Sequence, residues 1–282
     1  MTPIRKRLRD FLYRFRPLPS YYGDDFKRIY EFLQHSRWWR RERVRDYKLR
    51  KLKELVEHAE KNVPYYRELF AKHGIKAKDI NSFEDFAKIP VLTKGKVQEN
   101  IEQLKAVNFE SYNPLIAKTS ATSGAETILF RSAYLESFRK AVIWRIYNEY
   151  GFDFRDKKAT ITNPHSFEPD APVYEYDKLE NELVIDTSHL VARHFDKAYQ
   201  ALKDFNPKMI WSHPNMLGLL AEYIHEKGLE PLEIPLIGTY AVKFDPALKD
   251  LTSKVIKGRY FEYYGNRENT IAAWGDSNGE FF

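Results

Sequence analysis

Cysteine is absent from the 282 residues. That excludes disulfide frameworks, thiolate catalysis, Cys-ligated zinc and iron–sulfur clusters, and it suits a reducing compartment. No apolar run approaches the roughly 18 residues that span a bilayer, and no secretory signal precedes a small-residue cleavage site. The chain therefore reads as soluble and cytoplasmic. Internal repeats and low-complexity stretches are missing, as are a GxSxG elbow and an HExxH pair. His189 and His194 stand five apart, off the shared face of a helix.

Hydrophobic residues make up 43% and charged residues 30%, enough apolar surface for a real core. Aromatics reach 15%, which favours thick packed layers or aromatic-lined pockets. The net charge of +6 is uneven. Residues 1–50 hold 15 Lys/Arg against 6 Asp/Glu, a balance of +9, and the remainder holds 31 against 34, a balance of −3. A near-neutral body with a basic N-terminal arm argues against nucleic acid as a partner, because a phosphate-tracking groove needs its cations in the folded part.

Residues 3–16 place Ile4, Leu8, Phe11, Leu12 and Phe15 at helical spacing among Arg5, Lys6, Arg9 and Arg16. Two readings stay open: a basic helix docked on its own chain, and a helix lying on the inner face of a membrane with Phe and Leu in the headgroup boundary. Pro17 and Pro19 end it. A helical pattern then runs from Asp24 to Asn62, and Trp38-Trp39 among Arg37, Arg40 and Arg41 reads as a packing anchor with stacked guanidiniums. Pro64 starts a further helix, and Ser82 with Asp85 marks another N-terminus.

Beyond Gly95 the pattern alternates. Strands are expected at 115–117, 127–130, 159–162, 183–185, 208–212, 236–240 and 260–264. Helices are expected at 134–150, 193–205, 215–227 and from about 246. Strands alternating with helices of this length argue for an α/β body with a largely parallel sheet.

Two segments carry candidate chemistry. Thr119-Ser120-Ala121-Thr122-Ser123-Gly124 packs four hydroxyls and a glycine between two expected strands, which suits either a phosphate-wrapping loop or a polar hairpin. No Gly-Lys-Ser/Thr follows, so it is not a Walker loop. Tyr263-Tyr264-Gly265-Asn266-Arg267-Glu268 follows an apolar strand, where ligands of open α/β sheets bind. A carboxylate there suits Mg²⁺ beside substrate phosphates, or a solvated pair with Arg267. His165 and His213 each stand beside proline after an expected strand, and His213 is a candidate for a substrate pocket.

In order and spacing these segments resemble the phenylacetate–coenzyme A ligase and capsular-polysaccharide-biosynthesis (CapK-like) branch of the adenylate-forming, AMP-binding enzymes. Asn62-Val63-Pro64-Tyr65-Tyr66-Arg67 is similar to the family's "VPYYR" junction, and Ile89-Pro90-Val91-Leu92-Thr93-Lys94 to its "LPxxTK" segment. The 119–124 loop sits where the family's phosphate loop belongs. Trp211-Ser212-His213-Pro214 starts a helix as its "yPs" does, and Tyr264–Glu268 is similar to "YGxTE". The resemblance covers about residues 30–282.

The resemblance implies an N-terminal helical segment (21–110) packed on the large mixed/parallel-sheet body (111–282), behind the basic arm (1–20). It implies activation of a carboxylic acid by ATP and Mg²⁺ to an acyl-adenylate, then transfer to coenzyme A or another acceptor. Thr119, Ser120, Thr122, Ser123 and Gly124 would grip phosphates with Asn266 and Arg267, Tyr264 and Gly265 would lie against adenine, and Glu268 would bind Mg²⁺. No residue of this chain is assigned the catalytic step. The small C-terminal domain with its catalytic lysine is absent, so a truncated reading frame is expected.

Departures from the pattern keep a second reading open. Ala121 replaces a loop glycine, Ala125-Glu126 replaces Lys-Pro, and the adenine-side "GE" is missing near Gly238–Val242. Glu126 sets a negative charge where phosphates belong. A degenerate, non-catalytic relative acting as a scaffold in surface-polysaccharide assembly is the alternative. Assembly stays open between monomer and homodimer.

Overall fold

The computed structural model describes residues 22–118, 128–162, 172–188, 194–266 and 268–276. The basic arm, the 119–124 loop, His165, His189 and Arg267 lie outside them. The chain divides into two compact units, Arg28–Ala141 and a second made of Met1–Lys27 with Val142–Phe282.

The Arg28–Ala141 unit is mostly helical. It holds most of α1 (Asp24–Ser36), then α2 (Arg41–Asn62), α3 (Pro64–His73), α4 (Phe83–Phe86) and α5 (Lys94–Glu99). Pro64 takes the first position of α3, where its missing N–H costs nothing. Val56, Phe70, Ala77 and Ile80 form the core, with Leu52, Tyr66, Leu69 and Ile89 packed around them. Ser82 caps α4: its Oγ accepts the Asp85 N–H at 3.0 Å, and the Asp85 carboxylate accepts the Asn81 N–H in return. Strands β1 (Pro114–Lys118) and β2 (Ile128–Ser132) pair antiparallel, with Ala117 opposite Leu129. Trp39 anchors as expected, against Phe32 and Tyr47 with the Arg43 guanidinium 4.1 Å from its ring centroid. Trp38 does not; it is 79% exposed.

In the second unit a seven-stranded sheet runs in the order β4-β5-β3-β6-β7-β8-β9. Its strands are β3 (Lys158–Thr162), β4 (Tyr174–Asp177), β5 (Glu182–Asp186), β6 (Met209–Ser212), β7 (Leu232–Tyr240), β8 (Ile256–Gly265) and β9 (Ala272–Asp276). The five central strands are parallel, and β4 and β9 close the edges antiparallel. Helices α7 (Phe195–Phe205), α8 (Pro214–Glu226) and α9 (Pro246–Val255) alternate with them; α6 (Ala133–Glu149) precedes β3. A register shift between Glu233 and Leu236 surrounds Pro235, which has no ladder N–H to give.

The register sorts side chains onto two faces. One face is aliphatic: Ala159, Ile161, Leu183, Ile185, Ile210 and Ile237 pack with Ala198, Leu202, Leu217, Leu220 and Ile224 of α7 and α8. The other is aromatic. Tyr150 stacks on Phe261 with centroids 4.2 Å apart, and Trp211 meets Tyr147, Tyr240, Phe261 and Tyr263. Among the described residues no helix is long and apolar enough to cross a membrane.

Candidate nucleotide site

The carboxyl ends of β7 and β8 point the same way, and the chain leaves each in a different manner. After β7 it turns through Ala241-Val242-Lys243 into α9, whose start is fixed by Asp245: its Oδ1 accepts the Ala247 and Leu248 N–H groups at 3.0 and 3.1 Å. After β8 it turns back into β9. A half-open groove of about 900 Å³ starts between these exits, at Ala241–Lys243 and Tyr263–Gly265, and runs on between α9 and β8 past Lys249, Ser253 and Gly258. That volume falls within the range of small-molecule and cofactor sites.

Three features shape the cleft chemically. Tyr264 is 59% exposed, so its ring offers a face to a planar ligand. Gly265 leaves room for its neighbour, since a Cβ there would stand 2.6 Å from the Tyr263 hydroxyl oxygen. Lys249 on α9 faces Glu262 on β8 at 3.3 Å, both largely shielded, so the wall carries a neutralised pair rather than a lone cation. Ala241 adopts φ 76°, a left-handed conformation natural to glycine.

Beyond Gly265, Asn266 serves the turn. Its Oδ1 accepts the N–H groups of Thr270 and Ile271 at 3.0 and 3.3 Å, and its Nδ2 donates to Thr270 Oγ1 at 2.8 Å. This side chain, expected at the nucleotide, ties Asn266 to Thr270 and Ile271. Glu268 sits in that turn, exposed and engaged by no described residue. Groups of three or more metal-ligating side chains do not occur among the described residues. A single open carboxylate fits Mg²⁺ that keeps most of its water and shares substrate phosphates, not an ion held by the protein alone.

His213 stands at the first residue of the β6–α8 junction and acts as a helix cap. Its Nδ1 accepts the Asn215 N–H at 3.3 Å, and its ring edge faces Tyr240 with centroids 6.4 Å apart. Burial pushes its pKa below the ordinary histidine value. Accepting an N–H at Nδ1 requires the neutral ring, so any proton it offers outward is on Nε2.

The structure therefore brings Tyr264 and Gly265 to one cleft, puts Asn266 and Glu268 in the adjoining turn, and places His213 at the end of β6. The Lys249–Glu262 pair carries no sequence signal, and loop 241–244 is marked in the sequence only by the missing "GE" near Gly238–Val242. The Asp245-Pro246 helix start was the signal that α9 begins at a strand end.

Comparison with known protein families finds no match. Among curated proteins, a phenylacetate–coenzyme A ligase of Pseudomonas putida is 27% identical over 194 residues, 68% of this chain and 43% of that protein. Protein CapK of Staphylococcus aureus is 20% identical over 185 residues, 64% of this chain and 40% of CapK. The chain thus spans less than half the length of these relatives. Among solved structures, an open conformation of 2-hydroxyisobutyryl-CoA ligase, in complex with 2-HIB-AMP and CoA, aligns with a TM-score of 0.63 at 16% identity, covering 82% of this chain and 56% of that one. In sequence the chain is similar to phenylacetate–coenzyme A ligases and CapK, and in fold it is similar to the 2-hydroxyisobutyryl-CoA ligase.

Proposed function

We propose that this chain supplies the nucleotide-holding part of an AMP-forming acid–coenzyme A ligase. The carrying observation is the cleft between loop 241–244 and Tyr263–Gly265, at the carboxyl ends of two adjacent parallel strands. Tyr264 and Gly265 lie against adenine. Thr119, Ser120, Thr122, Ser123 and Gly124 hold phosphates, with Arg267 adding positive charge. Asn266 fixes the turn that presents Glu268, and Glu268 would be the residue to hold Mg²⁺, which when bound would supply positive charge beside the phosphates. A substrate carboxylate oxygen attacks the α-phosphorus and the α–β anhydride bond breaks, giving acyl-adenylate and pyrophosphate. The coenzyme A sulfur then attacks the acyl carbon and AMP leaves.

A second reading is favoured by Ala121 and Ala125-Glu126, which remove flexibility and add negative charge where phosphate oxygens need donors. It makes the chain a binding protein of surface-polysaccharide assembly, held at the membrane by residues 3–16. Calorimetric titration with ATP and AMP, with and without Mg²⁺, separates the two. Micromolar binding that weakens in Ser123→Ala and Glu268→Ala supports the ligase reading. Absence of binding up to millimolar nucleotide overturns it for this chain.

A further inference from the structure

We propose that the turn joining α1 to α2, with the first turns of α2, is a contact surface for an anionic lipid bilayer. The proposal stands apart from the nucleotide reading and from residues 3–16. Residues 37–50 hold seven Lys/Arg against two Asp/Glu, a balance of +5. Residues 1–20 hold six against one, so this stretch carries as much of the N-terminal excess as the arm does.

The charges lie open. Arg40, Arg41, Arg43, Arg45, Lys48 and Arg50 are exposed. Arg43 and Arg50 rest over Trp39 and Tyr47. Among the described residues, no ion pair engages Arg40, Arg41, Arg45 or Lys48. Positions 41, 45 and 48 share one helix face over the first two turns, before Leu52 and Val56 carry that side of the helix into the core. Glu42 and Asp46 within the stretch, and Glu84 near Arg45, offset part of this charge, and the net excess of cations gains from an anionic surface.

Trp38 selects the kind of surface. A basic strip alone would serve any polyanion. Here an indole 79% exposed stands in the turn beside the strip, one face covered by the Arg37 guanidinium at 4.9 Å. Indole rings settle at the headgroup level of bilayers, and lysine and arginine near such a surface each add to binding.

The test is sedimentation of the full chain with vesicles of phosphatidylglycerol and phosphatidylcholine, against vesicles of phosphatidylcholine alone. Binding is expected only to the anionic vesicles, about a hundred-fold weaker in Arg40→Ala/Arg41→Ala/Arg45→Ala, at roughly five-fold per charge. Brominated lipid is expected to quench tryptophan fluorescence in the native chain, and to lose most of that effect in Trp38→Phe. Native-strength binding in the triple variant overturns the proposal, as does quenching that survives Trp38→Phe. Tighter binding to duplex DNA than to the vesicles, lost in the same triple variant, overturns it in favour of nucleic acid.

Discussion

Trp211 and Tyr240 lie face to face on adjoining strands, ring centroids 5.3 Å apart and planes 19° from parallel. Gly238 makes the arrangement possible. A Cβ built there would stand 2.5 Å from Trp211 Cε3 and 2.6 Å from Phe261 Cζ, inside the packed aromatic layer. Gly238→Ala is therefore expected to destabilise by about 1–3 kcal/mol through overpacking. Gly95→Ala is the control, since nothing lies within 4 Å of its Cβ and it sits in α5; alanine there should be neutral or stabilising by up to ~1 kcal/mol. Thermal unfolding of both variants checks the pair, and a Gly238→Ala protein as stable as the native chain would contradict the packing.

His213 supplies a pH-dependent link in the same layer. Its folded pKa lies below the ordinary value of a base, so folding favours the neutral ring. The stability tied to it is complete above the unfolded pKa of about 6.5. It is lost as pH falls through the folded value, because protonation fills Nδ1 and places a cation at the positive end of α8. His213→Asn, which keeps a capping acceptor, should remove that pH dependence with little loss at pH 8. His213→Ala should lose about 1 kcal/mol at pH 8. Unfolding midpoints at pH 5 and pH 8 decide it.

Much of this fold was readable along the chain because its central strands and helices obey their own periods. Met209–Ser212 and the 236–240 half of β7 are mostly apolar and buried on both faces, as central parallel strands are. The edges were not readable. Ala272-Ala273-Trp274-Gly275-Asp276 has one good strand former in five, and it becomes β9 through tertiary contacts: Trp274 Nε1 donates to Glu149 at 2.9 Å, and Arg145 lies 5.3 Å over the indole. Tyr174–Asp177 alternates tyrosine with acid and exposes its tyrosines at the other edge.

The site followed a similar division. Tyr264, Gly265 and Glu268 were legible as residue types at a strand end. That Asn266 would be consumed by Thr270 and Ile271 depends on how the turn closes, which spacing does not encode. The N-terminal charge excess is legible in the sequence, and the arm at 1–20 carries only part of it. Half of it lies at residues 37–50, where Trp39 packs inward and Trp38 faces out.

Ala241 holds a glycine's conformation without being glycine. A left-handed backbone costs an L-residue about 1–2 kcal/mol, partly offset on replacement by the greater entropy that glycine loses on folding. Ala241→Gly is expected to stabilise by about 0.5–1 kcal/mol, the reverse of the usual direction for this exchange. Denaturant midpoints measure it, and a lower midpoint would mean that loop 241–244 does not take this backbone in solution.

Asn266 and Glu268 occupy one turn, and the roles proposed for them differ, so their variants should separate accordingly. Glu268→Gln keeps the side-chain size and removes the charge from a group that no described residue engages. Its thermal midpoint should match the native chain, its AMP affinity should be unchanged, and the Mg²⁺-dependent gain in ATP affinity should fall roughly ten-fold or more, in line with loss of a charge-assisted ligand. Asn266→Ala strips three hydrogen bonds from the turn. It should lower the midpoint and weaken ATP with and without Mg²⁺ alike, because the whole 266–271 segment loses its shape. If Glu268→Gln weakens AMP and metal-free ATP as much as Mg·ATP, the carboxylate acts on the nucleotide directly and the metal assignment fails. If Asn266→Ala affects only the Mg²⁺-dependent part, its amide is a ligand in its own right and the scaffold role assigned to it is wrong.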